Sequence, residues 1–214
     1  LQGEPSEKVD KESISLDKNQ ADNAISDEEQ LFERLHCASC DPMAEGKASG
    51  VAFEEEIAEV FRYMGFDAKR IGGAGNTDVV VRWKDNEGKS ITAIVDGKSK
   101  TSGMVSHTDI SDVAIDTHKE KNNADYVAII GPGFSGDTIR NHAKKKNFAL
   151  ITVTELVEIA RSAHSLGLSL QEIASLFIVP NGLSQIDELI SSKQRELDII
   201  SEVVAKLCQE QELL

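Results

Sequence analysis

The chain has 214 residues, 40% of them hydrophobic and 28% charged, a formal net charge of −14 and three cysteines. That length suffices for one good core with a small addition, and no apolar stretch is long enough for a membrane span, so a soluble protein with no membrane partner is expected. Three cysteines make no disulfide framework, which suits a cytoplasmic setting, and Leu1 opens no signal-peptide pattern, so the sequence reads as a fragment or processed chain.

Residues 1 to about 26 are polar, with Val9, Ile14, Leu16 and Ile25 too sparse for a helix face, and read as an acidic arm. Ser26 followed by Glu29 has capping-box spacing and predicts a short helix through Leu35. His36-Cys37-Ala-Ser-Cys40 holds half of a zinc ligand set, but only Cys208 remains to extend it, so a helix end with two thiols is the better reading. Phe53, Ile57, Val60, Phe61 and Met64 follow helical spacing and Gly65 stops that helix, which places the start of the domain proper near residue 50. Glu54 borders this apolar face, where it either serves a site or simply charges the first turn; Glu55, Glu56 and Glu59 are assigned to solvent.

Asp67 to Ile71 reads as a short strand and Gly72-Gly-Ala-Gly75 as a loop. It is no P-loop, because no Lys-Ser/Thr pair follows; its glycines either let the backbone pass close to a DNA strand or merely permit a tight connection. Thr77–Lys84 and Lys89–Lys98 are β-prone runs around Asp85-Asn-Glu-Gly88, a type I turn with Gly88 left-handed. Pairing Asp85 with Lys89 sets Val81 opposite Ala93, Val79 opposite Val95 and Trp83 opposite Ile91, one consistently apolar face. Asp78 then opposes Asp96, Lys98 joins them, and Gly97 turns away and leaves the backbone uncrowded. Carboxylates whose Cβ atoms lie about 5 Å apart repel. A bound Mg²⁺ or Mn²⁺ removes the conflict, since such ions accept one or two carboxylates and keep several waters. Lys98 would orient or help deprotonate a water there, or offset developing charge. On a solvent-facing strand the same three side chains would form a surface charge cluster, and pattern alone does not separate the two.

Thr101 to Ser106 reads as a polar loop and Thr108 as the cap of a helix through about Asn122, with His107 and His118 at the surface. Tyr126–Ile130 and Phe148–Thr152 are buried strands joined by the Gly131-Pro-Gly133 turn and a helix from Ser135 through Lys146, a crossover that implies parallel pairing. Helices at Thr154–Ser165 and Ser169–Phe177 close the core. Beyond Pro180-Asn-Gly182, Ile186, Ile190, Lys193, Leu197, Ile200, Val204, Leu207, Gln211 and Leu214 alternate steps of four and three, a coiled-coil seam that needs a partner.

Asp78 followed after a hairpin by Asp96-Gly97-Lys98 resembles the PD-(D/E)XK nuclease motif, with Thr77 where the motif has proline. Phe53-Glu54, Gly65-Phe66, Gly72-Gly73, Asp78, Val95–Lys98, Ser102-Gly103 and Leu150–Leu156 further resemble, in order and spacing, the cleavage domain of FokI-type restriction endonucleases over about residues 50 to 178. The resemblance implies an α/β fold with a mixed central sheet flanked by helices, and metal-dependent hydrolysis of phosphodiester bonds in double-stranded DNA. It assigns Asp78 and Asp96 to Mg²⁺ (or Mn²⁺) together with the Gly97 carbonyl, Lys98 to the attacking water, and Glu54 to tuning the site. Asn76 and Lys100 are candidate phosphate contacts. The family's dimer helix carries an acidic and a basic residue one turn apart, whereas ungapped spacing from Lys98 gives Asp112 and Asp116 here.

Charge is unevenly spread: residues 1–57 carry 15 acidic and 5 basic side chains, 58–153 carry 12 and 14, and 154–214 carry 10 and 4. Only the middle segment is basic, and mildly, so it is a weak nucleic-acid footprint. The expected organisation is an acidic arm with a short helix (1–49), a nuclease catalytic domain (50–178) and a coiled-coil-like amphipathic helix (184–214) that engages a second copy or a partner recognition domain. The rival reading is a catalytically silent nuclease-fold DNA-binding or assembly module acting through the C-terminal helix; intact Asp78, Asp96 and Lys98 argue against it.

Overall fold

The computed structural model describes residues 26–73, 75–178 and 186–211; the arm up to residue 25, the Pro180-Asn-Gly182 break and Leu214 lie outside the described residues. Five strands form one sheet in sequential order: β1 (Asp67–Arg70), β2 (Val79–Lys84), β3 (Ser90–Gly97), β4 (Tyr126–Gly131) and β5 (Phe148–Thr152). The pairs β1–β2 and β2–β3 are antiparallel, while β3–β4 and β4–β5 are parallel, giving the expected mixed sheet. Its two parallel crossovers run through α3 (Asp112–Asn122) and α4 (Gly136–Lys146). Both helices cover the same face, as crossovers of one hand in a sequentially ordered sheet must.

Strand alternation builds two cores. Val79, Val81 and Trp83 with Ile91, Ala93 and Val95 face one side, where α1 (Asp27–Cys40), α2 (Val51–Tyr63), α5 (Val153–Ser165) and α6 (Leu170–Ile178) pack. Val80 and Ile94 face the other side, against Ile115 of α3 and Ile139 and Ala143 of α4. β4 is buried on both faces, which is why its sequence is continuously apolar rather than alternating.

Several local expectations change. The first helix runs to Cys40 rather than Leu35, because Ala38 continues the buried stripe of Leu31 and Leu35 against the core. Ser26 does cap it, accepting a hydrogen bond from the Glu29 backbone N–H at 3.1 Å. Glu56 is buried rather than solvated, and its carboxylate takes a 3.0 Å hydrogen bond from Arg34 Nε that ties α2 to α1. Thr108 caps no helix. His107–Asp109 is a separate 3₁₀ turn, closed by Asp109 accepting from the Ser106 N–H and hydroxyl, and α3 begins only at Asp112. At the C-terminus α7 (Ile186–Gln211) forms as one helix. Its Ile186, Leu189 and Ile190 pack onto the first core, and Lys193 pairs with Glu172 of α6.

Candidate active site

The β2–β3 turn sets the geometry. Gly88 takes φ 82°, Asp85 pairs its N–H with the Lys89 carbonyl at 3.0 Å, and the Asp85 side chain accepts from the N–H groups of Glu87 and Lys89. The resulting register sets Val79 opposite Val95, Val81 opposite Ala93 and Trp83 opposite Ile91, as the apolar pattern requires. Continued by one residue, it brings Asp78 beside Asp96, and the Gly97 N–H donates to Asp78 Oδ2 at 2.8 Å. Lys98 Nζ lies 2.9 Å from Asp96. Buried Thr77, in the proline's place, donates its hydroxyl to the Val95 carbonyl at 3.2 Å and ties the start of β2 to β3 just before Asp78.

Gly97 has a different role from the one its sequence position suggests. A Cβ there would meet Ile57 Cδ1 at 3.1 Å and Phe53 Cδ1 at 3.5 Å, so its surroundings are crowded, and the missing side chain lets α2 approach the end of β3. That approach brings Glu54, in the first turn of α2, within electrostatic reach of Asp78. Burial first, then the charges of Asp96 and Glu54, hold the Asp78 carboxyl well above the ordinary carboxylate range, opposed by the Gly97 N–H.

Sequence reasoning missed Arg70. Its Nε donates to Glu54 Oε2 at 2.8 Å, and its guanidinium lies so close over Gly72 that a Cβ there would meet it at 2.5 Å. Arg70 thus links Glu54 to the glycine loop. No pattern announced it, because β1 is too short to show periodicity and the pair spans two elements.

Asn76 caps the glycine loop by donating to the Gly72 carbonyl at 3.1 Å, and it accepts from Lys121 Nζ at the end of α3. Lys100 pairs with Asp109, so its charge is balanced within the chain. Asp112 and Asp116 are likewise engaged inside the chain, by His142 and Lys146 of α4. Cys37 and Cys40 are free, exposed thiols at the end of α1. Among the described residues no three His, Cys, Asp or Glu side chains are drawn together as a metal cage. The groups brought together at the sheet end are the carboxylates of Asp78 and Asp96, with Glu54 held by Arg70. Burial and the neighbouring carboxylates disfavour the charged form of Asp78, and a hard divalent ion that keeps much of its hydration would relieve that conflict. A hollow lined by Asp27, Leu31 and Tyr63 lies along α1 and α2, away from these carboxylates.

Comparison with solved structures gives the restriction endonuclease FokI bound to DNA at 17% identity and TM-score 0.52, covering 74% of this chain and 34% of that one. FokI in a second structure matches at 14% identity and TM-score 0.51 over the same shares. The present chain thus spans about a third of FokI's length, and the likeness establishes the fold. No curated protein matches. A family profile described as the FokI cleavage domain matches residues 11–183, well over half of the sequence, and the chain belongs to that family.

Proposed function

We propose that this chain is the catalytic module of a metal-dependent endonuclease that hydrolyses phosphodiester bonds in double-stranded DNA. The observation that carries the reading is the Asp78–Asp96 pair with Lys98 beside it, two carboxylates that the hairpin register holds together at a sheet end although each disfavours the other's charge. In this reading Asp78, Asp96 and the Gly97 carbonyl hold Mg²⁺ or Mn²⁺. The cation, when bound, supplies Lewis acidity toward a phosphoryl oxygen and offsets its charge. Lys98 exchanges part of its contact with Asp96 for the attacking water, orienting it and countering charge that develops on the phosphate. Glu54, steadied by Arg70, tunes the field at Asp78. Asn76 and Lys100 contact the phosphate backbone, Lys100 by releasing Asp109. Family membership and a FokI neighbour described as bound to DNA support the substrate class. The division into an arm (1–49), a catalytic unit (50–178) and a tail (184–214) belongs to the same proposal, as does action in the cytoplasm.

Incubation of supercoiled and linear DNA with the protein in Mg²⁺, Mn²⁺ or EDTA tests it. Nicking that needs the metal and disappears in Asp96→Asn is expected. Absence of metal-dependent cleavage at high protein concentration, with DNA binding intact, would instead favour a silent binding module.

A further inference from the structure

We infer that Lys69 of β1 with Arg82 and Lys84 of β2 form a phosphate track, along which one strand of the nucleic acid runs away from Asp78 over the open edge of the sheet. The identity of the occupant rests on the nuclease reading, and the surface is separate from the contacts assigned to Asn76 and Lys100.

Strand alternation places these side chains. Val80, Arg82 and Lys84 share the face of β2 that Asp78 begins, and Ile94, Thr92 and Ser90 lie opposite them on β3. On β1, the edge strand, Lys69 stands beside Val80 and Asp67 beside Arg82. Val80 and Ile94 are buried with Ile115 of α3. Beyond them the face opens: Arg82 and Thr92 are partly exposed, and Lys69, Lys84 and Ser90 are exposed. The opening follows from the topology, because α3 packs on β3 and β4 and α4 on β5, so helical cover on this face thins towards β1. Successive rows of side chains are about 7 Å apart, so the cations of the three rows after Asp78 extend about 20 Å from it.

These cations are uncompensated, unlike those nearer the carboxylates. Arg70 pairs with Glu54, Lys98 with Asp96 and Lys100 with Asp109, whereas Lys69, Arg82 and Lys84 make no ion pair among the described residues. Asp67 lies opposite Arg82 in the register without pairing with it, and Asp125 at the rim gives its carboxylate to the Thr92 N–H at 2.9 Å. In a chain of net charge −14, this row is a local excess of positive charge that an external anion satisfies. Ile71, beside Asp78, is exposed, but beyond it the strip holds no exposed large hydrophobic side chain among the described residues. A protein partner needs an apolar or aromatic anchor at the centre of its contact. A phosphate backbone needs cations in a line, and this line leads to the Asp78–Asp96 pair.

The test is binding of a fluorescent DNA duplex to the full chain in Ca²⁺, followed by anisotropy over a salt series. The combined variant Lys69→Ala, Arg82→Gln and Lys84→Ala should bind about tenfold or more weakly, and its slope of log affinity against log salt should be shallower by about two to three, since each phosphate contact contributes about 0.9. Lys69→Ala and Lys84→Ala, at exposed positions, should each reduce the slope by about one without moving the thermal midpoint. Removing as many cations from the exposed side of α4, by Arg140→Gln, Lys144→Ala and Lys145→Ala, should change neither affinity nor slope. No binding by the wild type at low salt, wild-type affinity and slope in the β1–β2 variants, or an equal or larger loss in the α4 variant would overturn the inference. So would unchanged DNA binding in the combined variant with faster proteolysis of residues 1–25, which hold six acidic and three basic side chains, since the strip would then belong to the chain's own arm. Single-turnover cleavage in Mn²⁺ separates the two readings: a chain that binds through the track without cutting refutes the nuclease reading alone, and wild-type binding by a combined variant that still cuts refutes the track alone.

Discussion

At the residue scale, Asp78, Asp96 and Lys98 do different things although they lie together. Asp78 is half-buried and its charge is disfavoured by its surroundings, while Lys98 is joined to Asp96 at 2.9 Å. If the aspartates hold the cation and the ammonium acts on water and developing charge, the two kinds of substitution separate. Lys98→Ala should leave DNA binding in Ca²⁺ nearly intact and slow single-turnover cleavage in saturating Mn²⁺ by roughly a hundredfold or more. Asp96→Asn should abolish both cleavage and the thermal stabilisation produced by Mg²⁺ or Mn²⁺, since it removes a formal charge and a ligand oxygen. Wild-type cutting by Lys98→Ala would move the chemistry away from this sheet end. The opposition of Asp78 to Asp96 was legible in the sequence, because hairpin register follows from the turn and from apolar alternation. The link from Arg70 to Glu54 was not, because it depends on how α2 settles on β1 and β3.

At the element scale, the segment after β3 shows how a side chain redirects a backbone. Asp109 accepts from Lys100 and from the Ser106 N–H and hydroxyl, and that turn displaces the start of α3 to Asp112. The same contacts, Lys100 first, lower the Asp109 carboxyl to about 2, below the ordinary aspartate value of about 3.9. The depressed value means that this stabilisation is complete above about pH 4 and is lost as pH falls through about 2. Amide exchange in residues 100–111 should therefore accelerate, relative to the β-sheet, across that acid window, once intrinsic exchange rates are divided out. Asp109→Asn should remove the pH dependence; an unchanged profile in that variant would show that Asp109 does not hold the turn.

At the scale of the whole molecule, α1 and the start of α7 both close onto the core beside α2 and α5. Phe32 and Leu35 of α1 and Ile186 of α7 are buried in the same core as β2 and β3. The position of a truncation should therefore matter more than its length. Ending the chain after Ser192 keeps Ile186, Leu189 and Ile190 and gives up only the partly exposed Lys193–Glu172 pair, so the unfolding midpoint should barely move. Ending it after residue 183 strips that apolar contact and should cost about 2–4 kcal/mol in urea unfolding. Equal stability of the two truncations would show that α7 does not contribute to the core. Among the described residues no helix is long and apolar enough to cross a membrane.

What the sequence determined by itself was whatever follows from short-range periodicity: the β2–β3 register, the central apolar strands, the parallel crossover and the heptad stripe of α7. The register, the strands and the stripe are each written within one element or across one tight turn, where backbone geometry alone decides which side chains share a face, and the parallel sense of the crossover follows from the strand–helix–strand order. Tertiary packing decided what depends on a neighbour distant along the chain. Burial of Glu56 required α1 to lie over α2, the crowding at Gly97 required α2 to reach the end of β3, and the pairing of Lys100 required the chain after β3 to fold back through Asp109. Nothing in the spacing of those residues records the partner, because the contact exists only once separate elements are brought together by the core between them.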